Sequence, residues 1–196
     1  MTSALIDQLH ATGYPVTLDA LHRRVWSGEF VPAPAGYVAA SVTALPTAEP
    51  TPFARFGLAV APWPGRAVPT DVAARFASGL LDLHRAVLRR ALDQAVRHLG
   101  ERNSEGTSLL AKQLVQAQLA DVAMGLREDE VMPPERRSGD RAARWRTHQR
   151  LVRLGRAVLY LFGASGFLVD GPAGELYLAE VTGNIYLHPG TEESDA

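Results

Sequence analysis

Residues 101–123, ERNSEGTSLLAKQLVQAQLADVA, gather side chains that could grip an anion. Arg102 offers a planar fork of N–H donors that suits paired phosphate oxygens. Ser104 adds a hydroxyl, and Gly106 permits a tight bend and close backbone approach. The amphipathic run that follows would start a helix, whose first turn contributes backbone donors and the positive end of its dipole. The same residues also suit an ordinary cap between antiparallel helices. Residue type and spacing leave both uses open.

A second concentration of positive charge is RRSGDRAARWRTHQRLVRLGR, where Arg146, Arg150, Arg153 and Arg156 fall on one helical face. It reads either as a solvated face offset by the acidic REDEV segment or as an anion-docking surface. Nucleic acid is not expected, because the formal net charge is −1 and no base-reading motif is present. Cysteine is absent, which removes thiolate nucleophiles, thiolate metal sites and disulfides together. The six histidines do not pair with each other at ligand spacing, so no metal site is expected. There is no phosphate-binding loop, dinucleotide glycine fingerprint or nucleophile elbow. No apolar run approaches membrane-spanning length and no leader pattern is visible, so the expected location is the cytoplasm, with no membrane partner.

The elements that must position these groups are mostly helical. SALIDQLHATGY and TLDALHRRVW carry apolar residues at helical spacing and predict one or two short helices over 4–28, with Thr17 a cap candidate. Prolines then crowd residues 30–69, and the apolar runs GYVAASVTAL and FGLAVAPW predict two or three short strands. From Thr70 the spacing of Phe76, Leu80, Leu83, Val87, Leu92, Val96 and Leu99 predicts a long helix. Further helices are expected over 108–126 and 141–162, and ELYLAEVTGNIYL is a short helix or an extended segment. The fold class expected is mainly α: an antiparallel helical bundle over 71–196, preceded by a small irregular α/β segment over 1–70.

Two blocks of this sequence resemble the C-terminal helical domain of acyl-CoA dehydrogenases. The first is Glu101-Arg102, Asn103-Ser104, Glu105-Gly106, then Gln113, Gln116 and Leu119-Ala120-Asp121-Val122-Ala123. It is similar to the family's Glu-Arg, two polar residues, Phe-Gly, a Gln, and Leu-Ala-Asp-Met-Ala. The second runs from Tyr160 through Gly163 and Gly166 to Phe167, then Gly171-Pro172 and Leu176-Tyr177, and resembles the family's Gly-rich turn and the helix after it. The family's Ile-Tyr-Glu-Gly-Thr falls on Ile185-Tyr186-Leu187. The resemblance covers about residues 71–191. It implies FAD as cofactor, shared with a partner subunit, with Arg102, Ser104, Gln113, Gly163 and Gly166 as cofactor contacts.

The departures from the family pattern imply a division of labour. The family's catalytic glutamate falls on Leu187, and the alternative base position in the first long helix falls on Phe76; neither accepts a proton. A missing general base costs a factor of about 10²–10⁴ in rate. Glu192 and Glu193 are the nearest replacements if the register slips, and without them this chain supplies no catalytic residue. Glu105 stands where the family has an aromatic, and would repel a pyrophosphate unless an arginine pairs with it. Residues 1–70 hold no recognisable flavin-contact motif. The resemblance therefore implies an accessory subunit of a heteromeric FAD-dependent acyl-CoA (or acyl-carrier) dehydrogenase-like enzyme. Its partner would be a full-length dehydrogenase-like subunit that binds the acyl thioester and completes a hetero-oligomer. The alternatives are a non-redox scaffold that keeps only the bundle, and a self-sufficient flavin oxidoreductase with displaced acid–base residues.

Overall fold

The computed structural model describes residues 2–27, 30–46, 49, 51–65, 68–131, 140–163 and 172–189. Among these are five α-helices and two small two-stranded sheets. Helix α1 spans Thr2–Val25 and breaks at Gly13, whose φ of 76° and ψ of 175° are not helical. Pro15 then starts the second half, a position where its missing N–H costs nothing. Thr17 is not the cap expected: its hydroxyl donates to the Gly13 carbonyl at 2.8 Å. Strands β1 (Tyr37–Ser41) and β2 (Leu58–Pro62) pair antiparallel with Ala39 opposite Val60. The proline-rich region thus yields two strands, with Pro62 at a strand end.

Helix α2 (Thr70–Glu101) is the central post. Helices α3 (Gln113–Val131), α4 (Arg141–Leu161) and α5 (Pro172–Leu187) surround it together with α1. Side-chain pairs fix the directions. Arg85 of α2 meets Asp129 of α3, while Leu110 beyond the hairpin reaches back to Gly100, so α2 and α3 are antiparallel. Arg150 with Glu128 and Leu154 against Gly125 make α4 antiparallel to α3. Arg156 with Glu180 and His148 with Asn184 do the same for α5 against α4. The result is the expected antiparallel bundle. One buried apolar cluster runs from Leu9, Leu18 and Leu21 of α1 through Leu80, Leu83 and Val87 of α2 to Leu178 and Leu187 of α5.

Local chemistry sets the element ends. Asp140 caps α4, its Oδ1 accepting from the Ala143 N–H at 2.6 Å. Between α2 and α3 the chain does not make the simple helix cap considered from sequence. It forms a hairpin of β3 (Asn103–Ser104) and β4 (Thr107–Ser108), turned by Glu105 and Gly106 at φ 54° and 78°. Two positive φ values in a two-residue loop define a turn whose twist matches the strands. Ser108 then closes the end of α2 by donating to Leu99 O at 3.1 Å, and accepts from Leu110 N at 3.2 Å. A single 3₁₀ turn, Leu109–Ala111, intervenes, so α3 begins five residues later than the expected Ser108. The ELYLAEVTGNIYL run is helical, burying Leu178, Ala179, Thr182, Gly183, Tyr186 and Leu187 on one face.

Arg85 is an interior charge. Its side chain is 5% exposed and its Nε donates to Asp129 Oδ2 at 2.6 Å, the aspartate being 4% exposed. Arg85 Nη1 also pairs with Asp82 at 2.8 Å, so removing Asp129 leaves a buried guanidinium with one of its two counter-charges, a loss of about 1–3 kcal/mol. Asp129→Ala should therefore lower the urea midpoint sharply, whereas the paired apolar replacement Arg85→Met with Asp129→Leu should recover most of the loss.

Candidate functional site

Arg102 lies immediately after α2, exposed to solvent, with no ion pair among the described residues. Its Nη1 donates to His98 Nε2 at 3.4 Å, one helical turn back. The His98 ring lies 5.3 Å from that of Phe162, the residue before Gly163. Two contacts therefore carry the end of α2 to the end of α4, and Arg102 and Gly163 occupy the same end of the bundle. Gly163 is exposed and has a φ of 57°, a left-handed conformation that suits glycine. Ser104 is half-buried, its backbone paired with Thr107 in the hairpin. Gln113 opens α3 and is exposed, as is Gln116. Gly166, Glu192 and Glu193 lie outside the described residues.

Among the described residues Glu105 pairs with a lysine and with no arginine. Its Oε2 lies 3.1 Å from the Lys112 ammonium, the only lysine in the chain. The carboxylate that would oppose an anion beside Arg102 thus has its own counter-charge. The REDEV segment closes α3 as helix instead of forming a loop, and the arginines of α4 are partly spent on it. Arg150 pairs with Glu128, and Arg156 donates to Glu180 at 2.6 Å. Arg146 and Arg153 are exposed. The arginine stripe is in good part a set of cross-helix ion pairs.

The two positions where a general base could stand are sealed. Phe76 and Leu187 are each 1% exposed. The Phe76 ring stacks on His22 at 4.5 Å and meets Tyr186 at 4.8 Å. The Tyr186 hydroxyl accepts from the Ala39 N–H at 2.9 Å. α1 and β1 thus close over Phe76 and the neighbouring Tyr186. His22 does not replace the missing base. Its Nδ1 accepts from Val31 N–H at 3.0 Å and its Nε2 donates to Ala39 O at 3.0 Å, so both nitrogens are occupied. Burial pushes its imidazole down to about 4, which keeps it neutral.

Sequence reasoning missed a buried polar chain deeper in the bundle. Tyr14 Oη is hydrogen-bonded to Thr182 Oγ1 and lies 3.2 Å from His84 Nε2. The Thr182 hydroxyl donates to Leu178 O at 2.9 Å, so it accepts from Tyr14, and the Tyr14 oxygen accepts from His84. The rings of His84 and His148 sit 5.4 Å apart. Burial drives the His84 imidazole well below its ordinary range and lowers that of His148, so both are neutral. The available signal was phase: His84 falls four residues after Leu80 and four before Leu88, on the core stripe. Among the described residues no group of three or more His, Asp or Glu could hold a metal ion, and no helix is long and apolar enough to cross a membrane.

The fold is an antiparallel helical bundle flanked by a small two-stranded sheet. A family model described as the acyl-CoA dehydrogenase C-terminal domain matches residues 84–194, more than half of the chain. The chain belongs to that family. The matched region contains Arg102, Gln113, Gly163 and Leu187, but not Phe76 or the segment that covers it. No curated protein sequence matches the chain.

The buried histidines set a pH dependence of stability. An unfolded chain protonates His22 near 6.5, whereas the folded chain resists until about 4. Stability is therefore full above about pH 7 and falls as pH drops from 6.5 towards 4, His22 alone accounting for about 3 kcal/mol. Glu175, whose carboxyl burial raises, acts in the opposite sense. Denaturant midpoints should be flat from pH 8 to 7 and decline between 6.5 and 4.5; His22→Gln should make that decline shallower.

Proposed function

We propose that this chain is a non-catalytic acyl-CoA dehydrogenase family member that docks on a full-length dehydrogenase-like subunit in the cytoplasm and completes its FAD site. One observation carries the reading: the arginine that the resemblance sets at the pyrophosphate is exposed at the same end of the bundle as Gly163, while Phe76 and Leu187 are core side chains. The residues present suit the cofactor. Arg102 has no carboxylate partner among the described residues, Glu105 is held by Lys112, and Gln113 offers an exposed amide at the start of the bundle's next helix.

In this role Arg102 forks onto pyrophosphate oxygens of a flavin held mainly by the partner. The amide of Gln113 adds a neutral hydrogen bond, and the exposed bend at Gly163, with Gly166 beyond it, lets the neighbouring subunit's cofactor approach the backbone. FAD, when bound, accepts the hydride of α,β-desaturation of an acyl thioester. The proton acceptor for that reaction belongs to the partner, since the matching positions here are Phe76 and Leu187. His98 positions the guanidinium from below and Phe162 backs His98.

Co-expression with a full-length dehydrogenase-like subunit should yield a yellow hetero-oligomer, and this chain purified alone should be colourless. Arg102→Ala should leave the complex intact by size exclusion while weakening FAD about 10- to 100-fold, the worth of a charge-assisted fork. A flavin-loaded, active protein obtained without any partner would overturn the proposal. A complex whose flavin affinity ignores Arg102 would also overturn it, and a stable complex with no flavin would favour the non-redox scaffold.

A further inference from the structure

Where α1 breaks at Gly13 and Pro15 it leaves a cavity of about 320 Å³, bounded by the 3₁₀ turn Ala54–Phe56, the last third of α2 and the first turn of α5. Pro15 and Phe56 give it apolar wall, and its charged groups among the described residues are Arg55, Arg90 and Glu175. These groups reach solvent: the Arg90 and Glu175 side chains are 23% and 25% exposed, and Arg55 is exposed. Gln94 lines the same space, half-buried, roughly 12 Å along the helix axis from Arg102.

The hydrogen bonds of Arg90 are one-sided. Its Nη1 donates to Leu9 O at 2.9 Å and to Glu175 Oε1 at 3.3 Å. Nε and Nη2 donate to nothing among the described residues, and neither is sealed from solvent. These two nitrogens form the side-on edge of the guanidinium, whose parallel N–H bonds match the two oxygens of a carboxylate. Glu175 occupies the Nη1 side alone and leaves that edge open. Arg55 makes no ion pair among the described residues and lies over the Phe56 ring at 4.7 Å. Two guanidiniums against one carboxylate leave the cavity with a net positive charge, and low-dielectric walls concentrate its field.

We propose that this cavity binds a small organic monocarboxylate with an aryl or short alkyl body, the carboxylate taking the Nε–Nη2 edge of Arg90. Arg55 supplies the second positive charge, and the body packs on Phe56 and Pro15. The Gln94 amide, which makes no hydrogen bond among the described residues, is a further neutral donor. A monoanion brings the cavity to neutrality, whereas a dianion would carry excess charge facing Glu175. The inference is independent of the flavin reading, because it involves neither Arg102 nor a partner chain.

The test uses the full chain with hydrocinnamate and its uncharged isostere hydrocinnamamide. Calorimetry should show the carboxylate binding at one site and the amide at least about tenfold more weakly, the ratio a hydrogen bond to a charged group is worth. The side-chain ¹⁵Nε–H resonance of Arg90 should move with hydrocinnamate and not with the amide. Arg55→Gln, at an exposed position, should leave the melting temperature in place and weaken the carboxylate severalfold, with the amide unaffected. No binding of hydrocinnamate, equal affinity for the amide, inorganic phosphate binding as tightly, an unmoved Arg90 resonance, or indifference to Arg55→Gln would each overturn the proposal.

Discussion

In its middle turns helix α2 has no free face, and much of the molecule follows from that. Residues Leu83, His84, Arg85, Ala86, Val87 and Leu88 are all buried in succession, which takes the helix surface through more than a full turn. A helix enclosed on every side needs a neighbour in each direction, and the three other bundle helices leave one face uncovered. The N-terminal segment supplies the cover: Leu18 and Leu21 join the core, and the Leu21 side chain reaches into the space above Gly79. Enclosure also dictates the polar chemistry. His84 and Arg85 cannot reach water, so Tyr14, Thr182, Asp82 and Asp129 are arranged around them as partners.

That constraint separates stability from function in space. Inside the bundle, titratable groups are held neutral or paired, and burial raises the hydroxyl pKa values of Tyr14 and Tyr186, so both remain protonated. At the Arg102 end the bundle is no longer wrapped. α2 stops, the hairpin projects Glu105 and Gly106, and Arg102, Gln113 and Gly163 meet solvent. A surface with a cation, an amide and two left-handed glycines is compatible with a phosphate-bearing ligand presented from outside. The interior instead holds apolar side chains, neutral histidines and a paired arginine.

Much of the architecture was legible because helical spacing is a long-range signal. The apolar positions of α2 and α4 predicted their extents almost to the residue. The elements that were misread are those decided by one or two residues. The turn at Glu105 and Gly106 became a hairpin because both adopt positive φ, and a glutamate gives no warning of that. Helix α5 was ambiguous because its apolar residues surround it, leaving periodicity little contrast. Thr17 looked like a cap, but the real break is set four residues earlier by Gly13 and Pro15. At the candidate site the sequence marked Arg102 and its neighbours but left two uses open for them, whereas the buried histidines acquire their partners from Tyr14, Ala39 and Asn184, which are distant in sequence.

Positions 187 and 76 are both core positions, and neither could take a carboxylate without wider change. At position 187 a carboxylate would sit among buried side chains with 1% exposure, and the desolvation penalty would hold it protonated or unfold its surroundings. At position 76 it would displace the ring that stacks on His22 and contacts Tyr186, whose hydroxyl in turn accepts from Ala39 of β1. His22 also fixes Val31 and Ala39, so the plug is cross-linked to the sheet at both nitrogens. Reopening that face would require removing the cover that α2 needs to remain enclosed. The contacts that stabilise the bundle at Phe76 and Tyr186 are therefore the same ones that keep water from position 76.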